Sequence, residues 1–256
     1  NISIASKNAV AYANGVAYWM GTDKFYKYDG RTETLPCNLR RYVFNDFNSD
    51  QTDQVFAGTN ESFNEIWWFY CSASSTVPDR YIIYNYYENV WYFGNLTRTA
   101  WVESGARDRP LAATTSNNLV EHEQGLDDNV TGTPAAITSF ITSADFDLDD
   151  GHRFFLVDRV LPDVTFDGST VDNPSVTLTL DPLESSGSGI KSTPSEGGNS
   201  NATVTRSATT PVEAFTDRAD IRVRGRQLNL KIQSARTGVQ WQLGATRLDM
   251  RPDGRR

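Results

Sequence analysis

The fold of this chain is decided by an aromatic stretch in its first third that begins with Glu65-Ile-Trp-Trp-Phe-Tyr70. A polar loop follows, and then a second apolar run, Arg80-Tyr-Ile-Ile-Tyr-Asn85, which leads through Glu88-Asn89 into Val90-Trp-Tyr-Phe93. Short runs of aromatic and β-branched residues bounded by turn-forming residues are typical of β-strands. The stretch therefore predicts consecutive antiparallel strands joined by turns.

The same pattern occurs on both sides of this stretch. Upstream, Val16-Ala-Tyr-Trp-Met20 and Phe25-Tyr-Lys-Tyr28 are separated by a short polar turn and followed by Asp29-Gly30, a standard hairpin turn. Downstream, a weaker copy comprises Pro110–Thr114 and Leu119–His122. The copies begin about 45–50 residues apart, which is the period of β-propeller blades.

Aromatic and charged residues are distributed unevenly along the 256 residues. Residues 1–101 contain 23 of the 30 aromatic residues, including all eleven Tyr. Residues 102–217 carry 19 acidic and 6 basic side chains, whereas residues 218–256 carry 3 acidic and 10 basic side chains. The net charge of the whole chain is −8. Because one uniform domain would not give this profile, we expect two compositionally distinct domains.

The sequence therefore predicts an all-β protein of two parts. Residues 1–125 form β-propeller-like blades, an incomplete set because two clear copies and a faint third are fewer than the roughly four blades of the smallest propellers. Residues 126–136 form a linker, and residues 137–256 form an antiparallel β-sandwich-like domain. Within it, the Ser- and Gly-rich residues 185–201 are expected to form a flexible loop. The predicted strands of this domain are Ile137–Phe146, Phe154–Val160, Ser175–Leu180, Ala202–Arg206, Ile221–Gly225, Gln227–Gln233, Gly238–Leu243 and Ala245–Met250.

The chain lacks the sequence signatures of common enzymes. Its two histidines, His122 and His152, have no cysteine close by, and no G-x-S-x-G, G-x-G-x-x-G, P-loop or H-E-x-x-H motif occurs. We interpret Cys37 and Cys71 as free thiols, with a single disulfide as the alternative. We therefore expect no catalytic residues and no cofactor. No apolar run approaches the about 18 residues of a membrane span, so no membrane-spanning segment is expected.

One acidic cluster is a weak candidate for a metal site. Asp145, Asp147 and Asp149 alternate with apolar residues ahead of Gly151, as in a calcium-binding loop. The glycine comes one position late, however, and Leu156 occupies the position of the closing glutamate. We favour a strand that buries the two apolar residues between the aspartates, leaves the carboxylates in solvent and ends in a turn.

Arginine and tryptophan side chains are the candidates for interaction. Arg222, Arg224 and Arg226 lie at alternate positions in the basic C-terminal segment, where they can meet phosphate or the acidic segment of this or a neighbouring subunit. We favour the acidic segment as the partner of these arginines. Trp67 and Trp91 lie in aromatic runs that we interpret as core packing, with a carbohydrate-stacking platform as the alternative.

Several runs, in their order along the chain, resemble one protein family. They are Val16–Gly21, Phe25–Gly30, Tyr84–Trp101, Pro110–Ala113, Ile141–Gly151 and Trp241–Arg255. Together they are similar to tail proteins of tailed bacteriophages, and most of all to the tail nozzle, or packaged-DNA stabilisation, proteins of short-tailed phages.

The resemblance implies a β-propeller with an added β-domain and no catalytic residues. It implies assembly in the host cytoplasm into a homo-oligomeric ring, usually a hexamer, in the virion tail. Such a ring contacts portal or adaptor proteins and tail fibres, extends the DNA channel without sequence-specific binding, and helps to retain packaged DNA until ejection. Members of the family are longer, and this chain begins at Asn1 without Met, so we expect it to be part of a longer polypeptide.

The sequence is also compatible with a second function. A receptor- or carbohydrate-binding β-module of a phage tail fibre would have the same strand-rich sequence and would use the aromatic segment as its sugar platform.

Overall fold

Strands predominate throughout the described chain. The computed structural model describes residues 2–105, 108–149, 151–183 and 207–254. In these residues the helical elements are one α-helix of six residues and two 3-10 turns, so the predicted all-β class is confirmed. Contacts divide the described residues into a first unit that ends at Gln124 and a second unit that starts at Gly125.

The first unit contains three antiparallel sheets, each made of strands consecutive in sequence. We call them the first, second and third blade. The first blade consists of β1 (Val10–Ala13), β2 (Val16–Met20), β3 (Phe25–Tyr28) and β4 (Thr32–Leu35). The second consists of β5 (Phe56–Asn60), β6 (Glu65–Tyr70), β7 (Arg80–Asn85) and β8 (Val90–Asn95). The third consists of β9 (Ala100–Val102), β10 (Leu111–Ala113) and β11 (Leu119–Glu121). Helix α1 (Arg40–Asn45) and a 3-10 turn (Ser49–Gln54) connect the first two blades, and a 3-10 turn (Glu61–Phe63) joins β5 to β6.

Strand β6 is buried on both faces. Because side chains alternate along a strand, Ile66, Trp68 and Tyr70 face one way, into a core shared with the first blade. Trp67 and Phe69 face the other way, into a smaller core shared with the third blade. The second blade is therefore packed between the first and the third.

The first strands of the three blades are neighbours, since β1 contacts β5 and β5 contacts β9. The Ala57 amide of β5 donates to the Asn8 carbonyl at 2.8 Å. The Trp101 Nε1 of β9 donates to the Thr59 carbonyl of β5 at 2.9 Å. Radial blades with one strand of each near a common axis define a propeller. The described residues form an arc of such blades, in which no sheet closes on itself.

The second unit contains two larger sheets and two short strand pairs. The first sheet has the order β14 (Ser139–Thr142), β21 (Gln227–Ser234), β18 (Ser175–Leu183) and β19 (Ala208–Glu213), with β15 (Phe146–Asp147) also beside β21. The second has the order β20 (Ala219–Gly225), β16 (Phe155–Leu161) and β23 (Arg247–Pro252). The short pairs are β12 (Asp127–Asp128) with β13 (Ala135–Ala136), and β17 (Val164–Thr165) with β22 (Gln242–Leu243).

The two larger sheets pack face to face as a sandwich. Leu178 and Leu228 of the first sheet and Phe155 and Val223 of the second are fully buried in one core. Burial alternates strictly along β20, as expected for a strand with one face in a core. Between β20 and β21 the chain passes from one sheet to the other through Arg226 alone.

Some local predictions differ from the structure. Residues 126–136, predicted as a linker, contain the β12–β13 hairpin. Strand β19 was missed because it contains Pro211, which counts against a strand in sequence, but β19 lies at the edge of its sheet, where proline is tolerated.

The predicted strand Gly238–Leu243 is wrong over most of its length, since only Gln242–Leu243 is a strand, and Ile137–Phe146 is divided between β14 and β15. In the first unit the predicted strands are present, but the prediction lacked β1, β4, β5 and β9. The predicted loop 185–201 and strand Ala202–Arg206 lie outside the described residues.

Both cysteines are free thiols. Burial raises the pKa of the Cys37 thiol to about 12 and that of Cys71 to about 11. The interpretation of free thiols is therefore confirmed, and both remain protonated at neutral pH.

Replacing Trp68 by alanine should strongly destabilise the first unit. Trp68 is fully buried between the first two blades, and its Nε1 donates to the Ala9 carbonyl at 3.0 Å. We expect the free energy of unfolding to fall by about 3–5 kcal/mol in chemical denaturation. Phe215→Ala, at a residue that is 90% exposed, is the control and should change it by less than about 0.5 kcal/mol. Equal effects of the two variants would contradict the packing described above.

Replacing Gly58 by alanine should weaken the contact between the second and third blades. A Cβ on Gly58 would lie 2.1 Å from Cδ1 of Trp101, so the indole would have to move. We expect a loss of about 1–3 kcal/mol, as for other overpacked sites. In a double-mutant cycle, Trp101→Ala should remove most of the additional cost of Gly58→Ala. Gly105→Ala, where the nearest atom is 3.9 Å away, serves as the control.

Candidate functional site

The predicted tryptophans lie on opposite faces of the second blade. Trp67 is buried, with its ring centre 5.0 Å from that of Tyr81 and 5.1 Å from that of Trp101. Trp91 is half-buried against the core of the first two blades, and its Nε1 donates to the Pro36 carbonyl at 2.9 Å. The structure therefore places both side chains in packing interfaces, and they do not form a common platform for a sugar.

A cleft runs along the neighbouring first strands of the three blades. It has a volume of about 370 Å³. Its lining residues come from β1, β5 and β9 and from the segments that lead into β1 and β9, and are Lys7, Asn8, Val10, Phe56, Ala57, Thr99, Ala100 and Trp101. Lys7 is the one charged side chain among them. The cleft thus offers a mainly neutral wall with a single cation, on the side of the blades where a propeller has its axis.

A pair of partly buried glutamates joins the second and third blades. Glu65 begins β6, and Glu123 follows β11 with a positive φ of 59°. Asn60, which is fully buried, donates from Nδ2 to Oε1 of Glu123 at 3.1 Å. Trp67 donates from Nε1 to Oε2 of Glu65 at 3.0 Å. The two carboxyl groups therefore lie close to one buried amide, although they are far apart in sequence.

The environment of these glutamates favours their neutral forms. Burial raises the pKa of Glu65 to about 7, and the nearby charge of Glu123 adds to the shift, whereas the hydrogen bond from Trp67 opposes it. Burial also raises the pKa of Glu123, against the effect of the Asn60 hydrogen bond. Sequence analysis missed this pair because neither residue belongs to a recognisable motif.

The arginines of the C-terminal segment form a cluster on Phe154. The guanidinium carbons of Arg224 and Arg226 lie 4.1 and 4.7 Å from the centre of the Phe154 ring, within the range of cation–π attraction. Arg226 also donates to the His152 carbonyl at 2.9 Å. Arg222 is exposed on the same face of β20 as Arg224. The structure thus brings two of the three predicted arginines together on one ring.

Ion pairs cover the outer face of the sheet β20–β16–β23. The arginines there meet aspartates of the same sheet or of its flanking turns. The pairs are Arg159–Asp249, Arg251–Asp158, Arg218–Asp220 and Arg224–Asp253. Three basic residues of the C-terminal segment, Arg218, Arg224 and Arg251, are therefore paired with aspartates of the second unit. Exposed pairs of this kind contribute little to stability, typically about 0–1 kcal/mol each.

The expectation that all three candidate metal-binding aspartates face solvent is wrong for Asp145 and Asp147, which are half-buried and hydrogen-bonded to side chains of β21. Asp145 Oδ1 accepts from Nδ2 of Asn229, and Asp147 Oδ2 accepts from Nε2 of Gln227, both at 3.1 Å. The two apolar residues between the aspartates pack against the sandwich core. Asp149 has a φ of 62° in the turn that follows. Within the described ranges, no three His, Cys, Asp or Glu side chains are grouped so that they could hold a metal ion.

Comparison with known proteins does not identify a family. No family model matches the chain, and no curated protein matches it either. No helix in the described part of the chain is long and apolar enough to cross a membrane.

The stability of the first unit should fall as the pH rises through the neutral range. The pKa of Glu65 is about 7 in the folded chain and near its ordinary value of about 4.3 when unfolded. Between these values the folded state binds more protons than the unfolded state, so unfolding becomes easier with rising pH. Glu65→Gln keeps an acceptor for Trp67 but cannot ionise, and should flatten the decrease in Tm between about pH 5 and pH 8. Glu61→Gln is the control, and equal pH slopes in the two variants would contradict the assignment.

Proposed function

We propose that this chain is a structural component of a bacteriophage tail without enzymatic activity. It would form part of a nozzle ring that extends the DNA channel and helps to retain packaged DNA until ejection. The observation that carries the proposal is an arc of propeller-like blades followed in sequence by a β-sandwich, the order of parts that the sequence resemblance implies. Copies of the chain, portal or adaptor proteins and tail fibres are its proposed partners.

The charges of the described surfaces support this role. A wall that DNA must pass freely should not hold phosphate tightly, because each phosphate neutralised by a cation adds to affinity. The cleft along the first strands has one lysine. In the second unit, Arg224 and Arg159 are paired with aspartates. Together with a net charge of −8, this arrangement favours weak contact with DNA that does not depend on base sequence.

The proposal is tested on phage particles that encode the chain. We expect the polypeptide to co-purify with virions and an antibody against it to label the tail in electron micrographs. Particles assembled without it should leak DNA, measured as a higher nuclease-sensitive fraction of the genome than in particles with the chain restored. Absence of the polypeptide from purified virions, or unchanged DNA retention without it, would overturn the proposal.

A carbohydrate-binding module of a tail fibre is the second candidate, and one groove favours it. The groove lies in the second unit, has a volume of about 660 Å³ and includes the half-buried Trp241, whose Nε1 donates to Ser139 Oγ at 2.8 Å. An aromatic ring in an open groove can stack on a sugar. A glycan array distinguishes the two functions, since saturable sugar binding that is lost in Trp241→Ala and kept in Phe215→Ala would favour the fibre module.

A further inference from the structure

The third blade is joined to the second by a small contact. Its strands β9, β10 and β11 have three residues each. The buried side chains of the core between these two blades are Trp67, Phe69 and Ile83, and all of them belong to the second blade. The third blade contributes the half-buried Trp101. A small sheet that is anchored mainly by one large side chain can open by itself while the rest of its domain stays folded.

The polar contacts between these blades meet at the last two residues of β5, both of which are buried. Trp101 donates from Nε1 to the Thr59 carbonyl at 2.9 Å, and Thr59 donates from Oγ1 to Oε2 of Glu103. Asn60 donates from Nδ2 to Oε1 of Glu123 at 3.1 Å. Glu103 follows β9 and Glu123 follows β11, so carboxyl groups from both outer strands of the third blade reach one buried strand end.

A carboxyl group of the second blade lies at the same place. Glu65, the first residue of β6, is opposite Asn60 in the antiparallel register, and its Oε2 accepts from Nε1 of Trp67 at 3.0 Å. Glu65 and Glu123 are close enough for the charge of one to act on the other. Neither forms an ion pair with a basic side chain of the described residues. When both are ionised, two like charges therefore lie beside a buried amide without a countercharge.

The amide beside the two glutamates has one unsatisfied atom. Asn60 is fully buried, and its Oδ1 has no hydrogen-bond partner in the described part of the chain. A carboxylate only accepts hydrogen bonds, whereas a neutral carboxyl group also has an O–H to donate. Within the group of Asn60, Glu65 and Glu123, Oδ1 therefore finds a donor only when one glutamate is protonated. The hydrogen-bonding capacity of the group thus favours the presence of one proton.

The tyrosines and the histidine of this contact are in neutral forms. Burial raises the pKa of Tyr81 in β7 and of Tyr92 in β8, and the charge of Glu65 adds to both shifts. His122 accepts at Nε2 a hydrogen bond of 2.9 Å from Nε of Arg98, so this ring nitrogen carries no proton in the folded structure. A proton that enters or leaves the contact in the neutral pH range is therefore assigned to the glutamates.

We propose that Glu65, Asn60 and Glu123 form a proton-operated latch, in which one proton shared by the two glutamates holds the third blade on the second. Loss of this proton to water leaves two neighbouring carboxylates and an unsatisfied buried amide oxygen. The third blade then opens while the first two blades stay folded. The inference concerns the first unit and is independent of the proposed tail function.

The latch should be closed at acidic pH and should open as the pH rises. Burial raises the pKa of Glu65 to about 7 in the folded chain, from an ordinary value of about 4.3. Burial raises the pKa of Glu123 as well. A group whose pKa is raised by docking stabilises the docked state fully below its ordinary pKa, and this contribution is lost as the pH rises through the raised pKa. Opening of the third blade should therefore increase between about pH 5 and pH 8.

The first test is hydrogen exchange of the full chain between about pH 5.5 and pH 7.5, measured by mass spectrometry. After correction for the pH dependence of intrinsic exchange, protection of the β10 amides should fall about tenfold relative to that of the β2 amides. Equal loss of protection in β2 and β10 would show that the unit opens as a whole. Constant protection in β10 would show that no proton controls the contact. Either result overturns the proposal.

The second test replaces the glutamates by glutamine, which cannot ionise and has an N–H to donate. Glu65→Gln and Glu123→Gln should each keep the protection of β10 at about pH 7.5 within about twofold of its value at low pH. The double variant should have no larger effect than either single variant, because both glutamates act through one proton. Glu121→Gln, at an exposed residue of β11, is the matched control and should keep the pH profile of the unmodified chain.

The glutamine variants also show how the proposal would fail. Additive effects of the two single variants would mean that no proton is shared, and a pH profile unchanged in both would mean that neither glutamate holds it. Each outcome overturns the proposal. Circular dichroism and thermal unfolding at low pH establish that each variant is folded, and the exchange profile of the unmodified chain decides the question if a variant is not.

Discussion

The burial of β6 on both faces is the constraint on which the first unit depends. An antiparallel strand usually has one face in a core and the other in water, and its sequence alternates accordingly. After Glu65, β6 has five consecutive buried aromatic or aliphatic residues. Such a strand is stable only when a sheet covers each of its sides, so a second blade of this composition requires a first and a third. The arc of blades follows from this requirement.

The contacts between blades depend on a pairing of large and small residues. Trp68 inserts beside the alanines of β1, and Trp101 lies against Gly58 of β5. An indole ring packs closely on a neighbouring blade where the residues facing it are small, as Ala11, Ala13 and Gly58 are on the first strands of their blades.

The second unit balances its charges locally. The alternation of β20 places Val223 in the core and Arg224 on the surface, where it meets Asp253 and the ring of Phe154. Similar pairs along the sheet bring the acidic and basic segments of the sequence together. The uneven charge of the linear chain therefore becomes a mixed surface after folding, which suits a structural role more than tight binding of a polyanion.

The sequence by itself indicated β2, β3 and β6 to β8 and the turns between them, because side-chain alternation and turn residues act over a few neighbours. It did not show β1, β5 and β9, the first strands of the three blades. It indicated two compositionally distinct parts, the blade period and the packing of Phe146 and Leu148 against a core, in which both are half-buried. Only the tertiary structure decided which sheets stack, that the edge strand β19 accepts Pro211, and that Asn60 meets Glu123, which is 63 residues away. These contacts join residues that are distant in the chain. Burial of the residues changes their packing and raises the pKa of Glu65 and Glu123. No local sequence pattern encodes these contacts, since the energy of each depends on which residues the fold places opposite it.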